Sequence, residues 1–311
     1  MNLAEFIKTH VDEINNNEFT EVYEDLLKQL ASNYEGIQYV GKFTDILIDA
    51  GITPLIYMNT VPRGYMTDSS QTHVEIPDNI TKIDAFAFVY AKNLTEIEIP
   101  DNVTDIGHSA FRSCANLSRV TIPDSIEMIK PHTFAYCENL TDIVIPDSLK
   151  DIDVYAFDSC TKIQNIYITD MATWFNLGGS YEIMRFESSN KNLYLNNKLV
   201  TSITIPNSVS LLPTNAFCNC ASLTSATIPD SMTSINMGVF YGCSGLTSVT
   251  IPDSVTKIDR GAFYGCTKLK SITFNGTKAQ WTAISKEYRW NTKTGNYTIY
   301  CTDGKLKKGE K

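Results

Sequence analysis

Residues 251–273 read IPDSVTKIDRGAFYGCTKLKSIT, and nearly the same 23 residues recur at 228–250, 205–227, 145–167, 122–144, 99–121 and 76–98. The chain therefore carries seven copies of one unit, four before an interruption and three after it. Numbered from its Ile-Pro, the unit has isoleucine at position 1 and proline at position 2 in every copy. Position 13 is always phenylalanine: Phe88, Phe111, Phe134, Phe157, Phe217, Phe240 and Phe263. Positions 5, 8, 19 and 22 are Ile, Val or Leu throughout, apart from Met232 at position 5 and Ala226 at position 22.

Alternation between positions 22 and 1 is strand periodicity, with inward residues two apart. Proline at position 2 has no amide to donate, so the strand should stop there. Pro-Asp-Ser then reads as a turn in which proline presets the first central φ and the aspartate bonds to nearby backbone amides. No single copy can bury its Phe, Leu and Ile alone, whereas stacked copies bury them in one continuous core. Successive strands would lie about 4.8 Å apart and build a parallel sheet on one face.

A fixed period of 23 falls in the range of leucine-rich repeats. The wording IP-D-S-[VI]-T-x-I-x-x-x-AF-x-x-C-x-x-L-x-x-[IV] closely resembles the BspA-like leucine-rich repeat family, over 76–273 apart from the interruption. That resemblance implies a curved solenoid used to bind proteins or surfaces, with no catalytic site. The expected fold is an α+β repeat protein: a curved solenoid with parallel strands on its concave face, a helical N-terminal cap and a helix-plus-hairpin C-terminal cap.

Around the repeats, residues 1–52 form an acidic helical segment. Leu3, Phe6, Ile7, Val11 and Ile14 mark one helix, Val22, Tyr23, Leu26, Leu27 and Leu30 a second, and Val40–Ala50 a third. A cap over the first coil and a partner-binding module both fit that pattern. Residues 53–75 read as a degenerate repeat, with Val74 at position 22 and Tyr65 at position 13. The first repeat block is 76–167, the insert 168–204, the second block 205–273 and the C-terminal cap 274–311. Insert and cap look like one module used twice, a tryptophan-bearing helix (TDMATW, GTKAQWT) followed by a hairpin (NLYLNNKL, TIYCTDGKL). Thr277-x-x-Gln280 is a capping box opening the second of these helices.

The chain is acidic overall, net −9, with −8 in residues 1–75 and +5 in 274–311. Without a basic stripe it makes a poor nucleic-acid binder, and the KLKKGEK tail reads as a solvated end. No apolar run reaches 18 residues, so we expect no membrane span, and the start of the chain lacks the basic and apolar regions of a signal peptide. Six of eight cysteines, Cys114, Cys137, Cys160, Cys220, Cys243 and Cys266, share position 16, while the first repeat has Ala91 there. Small buried side chains stacked coil on coil explain that column better than a zinc site, and unpaired thiols fit a reducing, cytoplasmic compartment.

Searching for chemistry yields no catalytic, cofactor-binding or metal residue. His10, His73, His108 and His132 fall in unrelated contexts, and no nucleophile elbow, P-loop or dinucleotide fingerprint occurs. Aspartate fills position 3 in six copies, where a calcium ladder is the alternative to the turn role. What remains is the strand surface, whose outward positions are 21 and 23. In the first block these are Glu96, Glu98, Arg119, Thr121, Asp142, Val144, Asn165 and Tyr167; in the second they are all serine or threonine. Varied side chains on an invariant frame are where recognition is encoded, although any one of them could be an ordinary solvated strand residue. Tyr181, Met184 and Phe186 of the insert are further candidate contacts, unless they pack on the coil. The expected function is non-catalytic binding of a protein partner inside a bacterial cell, in a setting such as a phage- or mobile-element-encoded binder of a host protein. The alternative is a surface adhesin.

Overall fold

A computed structural model describes residues 72–76, 80–83, 85, 87–89, 91–184 and 190–310. The three helices expected in 1–50, most of the degenerate repeat and Phe186 lie outside those residues. The strands fall where the repeat demands. β1 (His73–Glu75), β2 (Glu96–Glu98), β3 (Arg119–Thr121), β4 (Asp142–Val144), β5 (Asn165–Ile168), β6 (Asn192–Leu195) and β7 (Lys198–Leu199) form one sheet in that order. β8 (Ser202–Thr204), β9 (Ser225–Thr227), β10 (Ser248–Ile251), β11 (Ser271–Phe274), β12 (Thr298–Cys301) and β13 (Gly304–Lys307) form a second. Pairing is parallel except in the two closing hairpins, β6–β7 and β12–β13. Register advances by one repeat per coil, so Val74 lies opposite Ile97 and Ile97 opposite Val120, placing Val74 at position 22.

Each strand alternates as the sequence implies. Position 22 is buried (Ile97, Val120, Ile143, Ile166, Val249, Ile272), and positions 21 and 23 are exposed or half-buried. The position-13 phenylalanines stack ring on ring, with centroids 5.0 to 5.3 Å apart from Phe88 through Phe157. They stack again at 5.7 and 5.4 Å from Phe217 through Phe263. Truncating one such ring to alanine would cost about 3–5 kcal/mol. Position 20 supplies a ladder of hydroxyls, in which Ser118 donates to the Thr95 carbonyl at 3.1 Å and Thr141 to the Ser118 carbonyl at 3.1 Å.

The turn after each strand differs from the expectation in two ways. The amide of Val103 donates to the carbonyl of Pro100 at 3.0 Å, as Ile126 does to Pro123 at 3.1 Å. Proline is thus the first residue of the turn, and positions 3 and 4 are its centre. The aspartates Asp101, Asp124, Asp230 and Asp253 are exposed and make no side-chain bond to an amide; Asp147 accepts instead from the Thr169 hydroxyl at 2.7 Å. Position 4 ties the turn to its neighbour: Ser148 donates to Ile126, Ser231 to Val209 and Ser254 to Met232, at 2.8, 2.6 and 2.8 Å. A hydroxyl one residue later reaches the previous coil, whereas the carboxylate, lacking a proton, cannot donate to a carbonyl.

Positions 7 and 8 form a second, narrower parallel ribbon, as where Lys82–Ile83 pairs with Asp105–Ile106 and Ser234–Ile235 with Lys257–Ile258. Between this ribbon and the long sheet the backbone twice takes a left-handed conformation in each of six coils, at positions 11 and 15. The residues are Ser109 and Ser113, His132 and Tyr136, Tyr155 and Ser159, Asn215 and Asn219, Gly238 and Gly242, Gly261 and Gly265, with φ between 57° and 75°.

Insert and C-terminal segment each complete a turn of the stack. α1 (Met171–Asn176) and α2 (Lys278–Ala283) both place a buried tryptophan fourth, Trp174 and Trp281. α2 has the expected capping box, with Gln280 and Thr277 bonding reciprocally, whereas Asp170 gives α1 no side-chain cap. After α1, Gly178 bridges Asp151; after α2, Ser285–Lys286 pairs with Lys257–Ile258. The amides of Phe263 and Gly265 donate to the carbonyls of Trp290 and Thr292, and Arg289 and Lys293 repeat the left-handed pair.

Candidate protein-binding face

The outward rows of the first sheet are two columns five to six residues long. Position 21 runs His73, Glu96, Arg119, Asp142, Asn165 and, across the β5–β6 pairing, Asn192. Position 23 runs Glu98, Thr121, Val144, Tyr167 and Tyr194. The Glu96 end is open, with its carboxylate 3.7 Å from His73 Nδ1 and 70% exposed. The other end is organised. Tyr167 donates its hydroxyl to Asp142 Oδ1 at 3.1 Å, and Asn165 Nδ2 donates to the same oxygen at 3.2 Å. Asn192 Nδ2 donates to Asn165 Oδ1 at 3.0 Å.

Around this chain of bonds the aromatic groups stack. The Tyr167 and Tyr194 rings lie 4.8 Å apart at 16°, and the Arg119 guanidinium sits 5.4 Å from the Tyr167 centroid. Partial burial raises the Tyr167 pKa first, and its bond to the Asp142 carboxylate raises it further. The hydroxyl therefore stays a proton donor at neutral pH. Such a cluster is rigid before any partner arrives, so little side-chain freedom is lost on contact.

Four of the eight expected face residues, Arg119, Asp142, Asn165 and Tyr167, sit on this network; Val144 lies between Thr121 and Tyr167 in the same row, and Glu96, Glu98 and Thr121 are exposed on β2 and β3. Asn192 and Tyr194 belong to the same face and were missed. Aligning NLYL (192–195) with NIYI (165–168) would have exposed them, because Asn192 pairs with Asn165 and Tyr194 with Tyr167. In the second sheet the rows are Ser225, Ser248, Ser271 and Thr227, Thr250, Thr273, ending on the 41% exposed Tyr300. Of the insert candidates, Tyr181 is exposed on the short 3₁₀ turn 180–182, while Met184 is fully buried and leaves the list of contacts.

The cysteine column is core. Burial pushes the Cys114, Cys220 and Cys266 thiols up to about 12, so they are not nucleophiles at neutral pH. Among the described residues no three His, Cys, Asp or Glu converge to hold a metal, and no helix is long and apolar enough to cross a membrane.

Comparison with known proteins agrees with this architecture. The model of the BspA type leucine-rich repeat region matches residues 59–177 and 187–305, in six copies. No curated protein matches the chain. Among solved structures, the leucine-rich repeat protein of T. pallidum is 25% identical, with 65% of this chain and 79% of that one covered, at a TM-score of 0.36. A leucine-rich cell surface protein of Faecalibacterium prausnitzii A2-165 is 25% identical over 69% and 82%, at 0.35. The pneumococcal vaccine antigen PcpA is 19% identical over 72% and 68%, at 0.42. With well over half of its length matched and its Pro, Phe, Cys and Leu columns in register, the chain belongs to the BspA-type leucine-rich repeat family.

Proposed function

We propose that this protein is a non-catalytic, protein-binding solenoid that works inside a bacterial cell and engages its partner through the outward rows of the first sheet. One observation carries the reading: the Arg119–Tyr167–Asp142–Asn165–Asn192 cluster is varied, bonded and aromatic, while the matching rows of the second sheet are serine and threonine. Rigid tyrosine and arginine are the side chains that dominate protein interfaces. The frame beneath is the same in both sheets, so the difference is not needed for folding. Seven buried thiols without disulfides support a reducing compartment. No residue bears on a phage or mobile-element origin.

The test is a tagged pull-down from bacterial lysate with the full chain and a variant carrying Glu96→Ala, Arg119→Ala, Asp142→Ala and Tyr167→Ala. One stoichiometric protein should be retained by the parent and lost with the variant, whose melting temperature stays within a few degrees. Retention by both would move the site off this face. Binding of nothing by the parent, together with surface labelling of the protein on intact cells, would replace this reading with an adhesin.

A further inference from the structure

A second surface lies at the left-handed corner of the coils 99–121, 122–144 and 145–167, away from the strand rows. Positions 11 and 15 have the same backbone conformation in every described coil of the two blocks, and in the last two repeats glycine fills both. Glycine is thus compatible with this corner, and it avoids a cost of order 1 kcal/mol per residue. The first block nonetheless places His132, Tyr136 and Tyr155 there. Their rings are not core. Tyr155 is 51% exposed and stacks on His132 at 5.4 Å, and its neighbour Val154 is 47% exposed.

Beside them is an incomplete polar site. Arg112 is 5% exposed, with its guanidinium 4.6 Å from the Tyr136 centroid, and its Nε has no hydrogen-bond partner. His132 Nδ1 is also buried without one. Burial lowers the His132 pKa first and the Arg112 charge next; Asp158 acts in the other direction, His108 with Arg112, and Asp153 with Asp158. A buried guanidinium nitrogen with no acceptor is costly, and native proteins seldom leave one so.

We propose that this corner docks an acidic–apolar segment of a partner protein, whose carboxylate accepts from Arg112 and His132 while an adjacent apolar side chain lies on Val154 and Tyr155. Tyr136, half-buried, rotates off the guanidinium to admit it. The carboxylate matches the Arg112 charge and supplies the acceptor that its Nε lacks, and an Arg–carboxylate contact is among the stronger hydrogen bonds available.

The test follows the His132 imidazole signals of the full chain by NMR at constant ionic strength. The probes are N-acetyl-Leu-Glu-Leu-amide, its Leu-Gln-Leu counterpart and inorganic phosphate. The Glu peptide should displace the His132 signals saturably and bind at least fivefold more tightly than the Gln peptide. Arg112→Gln should abolish that preference. Tyr155→Gly, which suits the backbone, should weaken the Glu peptide several-fold without lowering the melting temperature. Equal response to both peptides, or none at His132, overturns the proposal. So does phosphate binding as tightly as the Glu peptide, which would make the corner a plain anion pocket.

Discussion

Cys137 donates its thiol to the carbonyl oxygen of Phe111, 26 residues earlier, at 3.2 Å. Cys114 does the same to Phe88, Cys160 to Phe134, Cys243 to Phe217 and Cys266 to Phe240, at 3.0 to 3.1 Å. The sulfur column is therefore a ladder of weak second donors, in five coils, to Phe carbonyls that each already accept from a backbone amide, as well as a column of small side chains. Cys137→Ala should cost about 1–2 kcal/mol, from the small cavity and the lost donor together. Cys137→Ser keeps the shape and a donor, so it should cost less than Cys137→Ala. Urea unfolding of both separates the terms; a Ser variant no more stable than the Ala variant would mean the donor contributes nothing.

The left-handed corners give a second expectation. Gly261 has φ +67°, and a Cβ built there meets nothing nearer than Tyr241 Cδ2 at 3.5 Å. Gly261→Ala is then a test of backbone strain free of collision, and should destabilise by about 1 kcal/mol. Ser113→Gly, at φ +61°, should do the reverse by about 0.5–1 kcal/mol. Thermal melts of the two read the difference, and shifts of the same sign would refute the assignment of strain.

These corners also show why sequence reading stopped where it did. The strand register was legible because position 22 is aliphatic in six copies and a one-residue slip would expose it. The α2 capping box was legible because two side chains three residues apart suffice to define it. The left-handed pairs were not, since Ser, His, Tyr, Asn and Gly share no chemistry and only the tight bend unites them. The second ribbon was hidden because two residues per coil make no periodic signal. On the candidate face the first-block rows could be read from spacing, but Asn192 and Tyr194 join them only through a pairing between insert and repeat. Whether Met184 faces outward or packs on the coil was open in the sequence, because exposure in an irregular segment depends on tertiary packing alone.

That packing makes Trp174 the joint between the two blocks. It is fully buried, and its Nε1 donates to the carbonyl of Ala216 at 3.1 Å, while Phe175 meets Phe217 edge to face at 6.5 Å. Lys191 also joins the blocks, donating its ammonium to the Ile163 carbonyl and its amide to the Asn219 carbonyl, but α1 supplies the aromatic contact between them. Trp174→Ala should cost about 3–5 kcal/mol and leave the Ala216 carbonyl unpaired. In a repeat protein such a loss at one interface splits a single transition into two. Denaturant curves should show two steps with a reduced first slope. One cooperative step at a lower midpoint would show that the blocks are coupled by another route.

A pH profile tests the interior charge. Lys191 is fully buried, donates to the Ile163 carbonyl, and has its pKa lowered by burial to about 8. Between there and its ordinary 10.5 the unfolded chain holds a proton that the folded chain lacks, so stability rises with pH in that window. The thiols act oppositely. Burial raises Cys114, Cys218, Cys220 and Cys266 from 9.0 to about 12, so as pH rises through 9.0 the unfolded chain sheds protons that the folded chain keeps. Deprotonation of the one lysine adds about 1 kcal/mol of stability between pH 7 and 9, and the four thiols together remove about as much by pH 9. Urea midpoints should pass through a shallow maximum at about pH 8 and then fall steeply. Lys191→Met should remove the rise and keep the fall. A Lys191→Met profile parallel to the parent's from pH 7 to 9 would mean that Lys191 reaches water in the folded protein.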